Sequence, residues 1–124
     1  MQQIENSALP KNIGPHEGQE FALMRAGQKD VALFFEIEPE GLKEILTEGY
    51  KILKFSQFVH LQQTFYTRIV FRSGFESSAL RLKELVEQKQ EGIDPNREHE
   101  IGKILSYSQN QVDAYLQHVL KAHN

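Results

Sequence analysis

The sequence predicts an α+β domain: a small mixed or antiparallel sheet of about three strands packed with helices, ending in a three-helix C-terminal segment. Three observations lead there. Val31 to Phe35 is a continuous apolar run bounded by Asp30 and Glu36, the pattern of a strand buried on both faces. Thr64 to Arg72 alternates, with Phe65, Thr67, Ile69 and Phe71 on one side and Tyr66, Arg68, Val70 and Arg72 on the other, as in a strand with one wet face. From Glu76 onward apolar residues recur at helical spacing, punctuated by Gly92, Pro95 and Ser108.

Taken in order, residues 1 to 14 mix polar residues with Pro10 and Gly14 and predict an irregular arm. Pro15 suits a first helical position, Glu17 and Glu20 suit a helix N-terminus, and Phe21, Leu23 and Met24 supply apolar contacts before Gly27. Val31 to Phe35 follows as the expected central strand. Pro39 opens a second helix with Leu42, Ile45 and Leu46 on one side and Gly49 as its left-handed stop. Tyr50 to Phe58 predicts the next strand, so that strand, helix and strand can form a parallel crossover. Gln62-Gln63 marks a connection to the alternating strand, and Ser73-Gly74 turns the chain. Glu76 to Gln90 reads as a helix with Ala79, Leu82 and Val86 as its stripe and Leu80 and Leu85 at its flanks. The whole is one domain over 1–124, with a helix and strand part at 15–75 and a helical part at 76–124.

The final segment is the best punctuated. Asp94-Pro95 pairs an N-cap with a proline whose missing N–H is not needed in the first turn. Ile101, Ile104 and Leu105 make one stripe, Ser106-Tyr107 interrupts it, and Ser108-Gln109-Asn110-Gln111 is a capping box that starts a new helix carrying Val112, Tyr115, Leu116, Val119 and Leu120. Two helices joined by about three residues resemble the DNA-binding helix-turn-helix of bacterial regulators over residues 95–120. Apolar residues recur at Ile101, Leu105, Tyr107, Val112 and Tyr115, a small residue stands at Gly102, and Ser106 replaces the glycine common at the turn, a position that asks for positive φ. The resemblance implies Ser108, Gln109, Asn110, Asp113 and Ala114 as base-reading residues. The opening PKNIGPHEGQEF also resembles the start of small uncharacterised bacterial proteins, which carries no activity with it.

Charge sets the order of these readings. The chain has a net charge of −3, and from Arg97 onward Arg97, Lys103 and Lys121 are balanced by Glu98, Glu100 and Asp113. Duplex affinity comes chiefly from phosphates neutralised by basic residues, so DNA ranks below a protein partner. With no cysteine there is no disulfide, thiolate metal site or thiol nucleophile, and a reducing cytoplasm is expected. The apolar run at 31–35 is too short for a bilayer, and Met1 to Glu5 lacks the basic start and apolar middle of an export signal, so neither membrane nor export is expected.

Catalytic and metal motifs are not found. His118 and His123, five apart, point about 140° from one another on a helix; His99-Glu100 and His16-Glu17 lack the second histidine of a zinc motif; His60 stands alone. No cofactor or metal is expected. His16 beside Glu17 is the one pair with the chemistry of an oriented base, the basis of an enzyme reading ranked third. Tyr66, Arg68 and Arg72 share one strand face and place two guanidinium forks near an aromatic ring, a set suited to a carboxylate, a phosphate or a protein surface. If the C-terminal helices cover that face, Glu98 or Glu100 is the expected partner of the arginines. The resulting expectation is a non-catalytic binding or regulatory domain acting through protein contacts, a homodimer among them, with helix-turn-helix DNA binding as the alternative.

Overall fold

The computed structural model describes residues 16, 18–88 and 92–123. The chain runs through α1 (Glu20–Arg25), β1 (Val31–Phe34), α2 (Leu42–Thr47), β2 (Lys51–His60), β3 (Gln63–Phe71), α3 (Glu76–Glu87), α4 (Pro95–Ile104) and α5 (Gln109–His123). The architecture is α+β. The sheet order is β1-β3-β2, and both outer strands are antiparallel to β3.

That order corrects two expectations. The apolar run that begins at Val31 forms an edge strand of four residues, not the centre of the sheet. Its hydropathy is still explained, because helices lie on both faces: Val31 packs with Ile69, Phe71, Ala79 and Leu82, whereas Ala32 packs with Met24, Ile45 and Val70. An edge strand covered twice reads like a central one. The parallel crossover is realised only in direction, since β1 and β2 each run against β3, which lies between them.

β3 itself is covered on both sides over Thr67–Phe71, so the expected wet face is not there. Ile69 and Phe71 face the α3 and α4 layer, and Val70 faces the α1 and α2 layer. Arg68 is 7% exposed. Polar letters in the alternation misled because an arginine stem is apolar enough to lie within a packed layer while its head reaches the rim.

The hairpin has a different character. Leu61 and Gln62 form its two-residue turn with φ of 51° and 66°, both left-handed, and His60 pairs with Gln63. Ser56, with φ of 55°, begins a β-bulge in which Ser56 and Gln57 oppose Tyr66. From Ser56 to His60 every residue of β2 is exposed, so the hairpin projects past the helical layers.

Helix boundaries follow the local chemistry with small shifts. α1 starts at Glu20, after Gly18 at φ +77°; Pro15, Glu17 and the arm at 1–14 lie outside the described residues. α2 starts at Leu42 because Gly41 at φ +86° separates it from Pro39. α3 ends at Glu87, and Leu85, expected at the flank, is in the core. α4 opens as expected, with Asp94 accepting the Asn96 N–H and Pro95 in the first turn. Among the described residues no helix is long and apolar enough to cross a membrane.

Candidate functional sites

The α4–α5 corner is built from close approach. A Cβ placed on Gly102 would stand 2.3 Å from Val112 Cγ2, so only glycine lets the helices meet at this distance. α4 then ends in a Schellman cap: the Tyr107 N–H donates to Gly102 O at 2.8 Å and the Ser106 N–H to Lys103 O at 3.1 Å, with Ser106 in the left-handed position at φ +69°. The capping box is reciprocal, the Gln111 N–H donating to Ser108 Oγ at 3.1 Å and the Ser108 N–H to Gln111 Oε1 at 2.7 Å.

Around this corner Gln109, Asn110 and Ala114 are exposed. Asp113 faces His99, whose Nε2 lies 3.1 Å from Asp113 Oδ1. That pair was not legible in the sequence, because its partners stand on different helices with no motif spacing. A cleft of about 650 Å³ lies here, lined by Asn96, His99, Lys103, Tyr107, Gln109 and Val112. Arg97 contributes nothing to it, since its guanidinium is engaged by Leu85 O and Glu98. Glu100 is likewise occupied, by Arg81.

Beneath the corner sits a buried cation that sequence reasoning missed. Lys29 is 1% exposed and donates through Nζ to Leu105 O at the end of α4. Its ammonium lies 5.0 Å from the centre of the Tyr107 ring and 3.0 Å from His16 Nδ1. Burial pushes the amine down to about 8, with the Glu20 charge opposing in part. His16, its ring centre 4.3 Å from that of Tyr107 with the planes tilted by 38°, is pushed down to about 4 by burial and then by the Lys29 charge. Glu17, the other half of the pair considered for proton transfer, lies outside the described residues.

The three β3 residues expected to act together are divided. Arg72 is held at one end of the strand by Asp30 Oδ1 at 3.0 Å and by Met24 O, with its guanidinium 5.2 Å over the Tyr50 ring. Tyr66 and Arg68 stay together, the guanidinium 5.6 Å from the ring centre, and Lys54 reaches the same ring at 5.3 Å. Neither Glu98 nor Glu100 meets the arginines, because it is the N-terminal helical layer that covers this face. Arg68 instead donates to Glu36 O at 3.4 Å and faces Glu38 at 3.9 Å, and its Nε has no partner among the described residues.

Arg68 borders a second cleft, of about 490 Å³, between the Glu36–Glu38 loop and the strand residues Gln63, Thr64 and Phe65. Its surroundings are apolar and open: Phe35 is 60% exposed, Ile37 75%, Val59 64% and Leu61 83%. Phe58 stacks on Phe65 at 5.2 Å. The signal available in the sequence was the run Phe58, Val59, Leu61 leading into a turn that contains neither glycine nor asparagine. Among the described residues no group of three or more metal-ligating side chains forms.

Comparison with protein-family models, with curated proteins and with solved structures finds no match to this chain.

Proposed function

We propose that the protein is a small non-catalytic binding or regulatory domain, working in the cytoplasm, that acts through protein–protein contacts made by the projecting end of the β2–β3 hairpin. The observation that carries this is Leu61. It occupies a left-handed turn position, where a non-glycine residue costs on the order of 1 kcal/mol, and its side chain is 83% exposed. The two-residue turn asks for that conformation, but glycine or asparagine would supply it at less cost, and the exposed leucine side chain gains little packing among the described residues. A large apolar side chain held in water at a turn that favours glycine or asparagine suits a contact surface, and the neighbouring Val59, Phe35 and Ile37 extend the surface beyond scattered single residues. A photo-reactive residue placed at Leu61, with one at exposed Ser77 as control, tests the reading in cells of the source organism. Adducts with protein specific to position 61 are expected; the same adducts from both positions, or none, would sink it.

The second reading, DNA binding by α4 and α5, is favoured by the Gly102 contact, the Ser106 turn and the Ser108 box, which together supply the corner the resemblance asks for. Ser108, Gln109, Asn110, Asp113 and Ala114 then read bases. Lys103 and Lys121 are its basic residues, and Asp113 opposes them. Binding to random duplex tighter than about 10⁻⁴ M at physiological salt, lost in Lys103→Glu, would promote this reading above the first.

A further inference from the structure

The free edge of β3 has a length and a pattern that match themselves. β1 pairs with Arg68 to Phe71 and stops at Phe34, because Glu36 takes φ of 58° and the Ile37 N–H turns back to Phe35 O at 2.6 Å. Among the described residues no strand pairs with the same edge over Gln63 to Thr67. Backbone direction on that stretch follows from the hairpin. His60 and Gln63 close a two-residue turn and bond to each other, so alternate residues, Thr64 and Tyr66, aim their N–H and C=O groups outward. The Arg72 N–H, on the same alternation, does point that way and reaches Asp30 O at 2.9 Å.

We propose that the partner of this surface is a second copy of the chain, joined by antiparallel pairing of the two β3 edges about Phe65. The inference rests on the protein-contact reading and names its partner. Centred there, Thr64 of each copy bonds Tyr66 of the other in both directions, Gln63 meets Thr67, and the five unpaired positions are used up on both sides. The relation is two-fold, so the contact closes on itself. Phe58 and Phe65 of one copy continue into Phe65 and Phe58 of the other as one aromatic row on a shared face. The hairpin tip of each copy lies beside the Phe35–Glu38 loop of its partner, where Leu61 meets Phe35 and Ile37. The tip carries His60, Leu61, Gln62 and Gln63, with no acidic residue, so Glu36 and Glu38 meet no like charge.

Area permits this. With roughly 150–250 Å² for a large apolar side chain, Phe35, Ile37 and Leu61 at their exposures present on the order of 400 Å² per copy, to which the paired backbone of Gln63 to Thr67 adds; Phe58 and Val59 are on β2, one strand further from the contact. Twice that is about 800 Å², below the roughly 1,200 Å² of standard stable interfaces, which calls for a weak, reversible dimer rather than an obligate one.

The test uses the full chain. Sedimentation velocity from about 1 to 200 μM is expected to show a reversible monomer–dimer equilibrium. Thr64→Pro removes an outward N–H on each copy and is expected to weaken it about tenfold or more. Leu61→Glu should weaken it more than Leu61→Lys, since both lose the apolar contact with Phe35 and Ile37 but only the carboxylate brings like charge to Glu36 and Glu38; circular dichroism confirms the fold of each variant. Because the chain has no cysteine, Phe65→Cys gives a single thiol whose two copies would stand across the two-fold axis at a separation a disulfide accepts. It is expected to cross-link at least about tenfold faster on oxidation than Ser77→Cys. A strict monomer, or a dimer in which Phe65→Cys links no faster than Ser77→Cys, overturns the proposal. A monomer that still gives adducts with another protein at position 61 ends self-pairing alone, whereas a monomer without adducts ends the broader reading too.

Discussion

Replacing Gly102 by alanine sets two opposed effects against each other, and the geometry decides between them. Alanine is favoured over glycine in a helix interior by about 0.8–1.0 kcal/mol. Its Cβ, however, would stand 2.3 Å from Val112 Cγ2, where carbon atoms ordinarily rest about 3.5–4.0 Å apart. Relieving that overlap needs more than an ångström of movement between α4 and α5, or a displaced Val112 in a buried position. Overpacking of this kind costs about 1–3 kcal/mol. With about 2 for the overlap and about 1 returned by propensity, Gly102→Ala should lose about 1 kcal/mol. Urea unfolding measures it: at a slope of about 2 kcal/mol per molar, the midpoint falls by about 0.5 M. A double-mutant cycle with Val112→Ala isolates the contact, since removing the two methyl groups removes the obstacle, and a coupling of about 1 kcal/mol is expected. If Gly102→Ala is more stable than the parent and the cycle is additive within about 0.5 kcal/mol, the close approach of the helices is wrong.

Three further outcomes follow from the same corner. Ser108→Ala loses one half of the capping box and should lower stability by about 1 kcal/mol in the same urea assay. Ser106→Gly should raise it by about 0.5–1 kcal/mol, because glycine accepts the left-handed cap at little cost while gaining some disorder when unfolded. Lys29 gives a pH signature: with its amine at about 8 when folded and 10.5 when free, the unfolded chain holds the extra proton between those values. Stability contributed by this residue should therefore rise from about pH 8 to 10.5, by up to roughly 3 kcal/mol, and Lys29→Met should flatten the slope. His16 acts in the same direction lower down, between about 4 and 6.5.

The sequence was most legible where local chemistry alone decides. Asp94-Pro95 and the Ser108–Gln111 box describe contacts spanning two or three residues, and both form as read. The alternation of β3 named its two faces correctly, yet it carried no information on what would cover them. That depends on α1 and α2 folding over Val70, a relation between segments more than twenty residues apart. The position of β1 failed for the same reason, since hydropathy reports burial and not neighbours. At the site, Arg68 was marked as chemically able, but its separation from Arg72 depends on Asp30 and Met24, which no spacing connects to β3. Lys29 is the clearest loss. Nothing in a lysine after Gly27-Gln28 announces burial under the end of a helix 76 positions later.

The bulge at Ser56 has a consequence for motion. On its inner side, Lys51 to Phe55 pair with β3, and the segment is anchored by Phe55 within the α3 layer; on its outer side, pairing from Phe58 to His60 is supported by the hairpin alone. An isolated two-stranded ribbon is marginal in water, so the outer half opens and recloses without disturbing the rest. Amide exchange should therefore divide at Ser56, with Leu53 and Phe55, whose N–H groups face β3, released only when the whole chain unfolds and the amides past Gln57 released by fraying. Two populations of protection within one continuous strand would make the projecting end a separately breathing unit, slowed to the rate of the remainder only when its edges are covered.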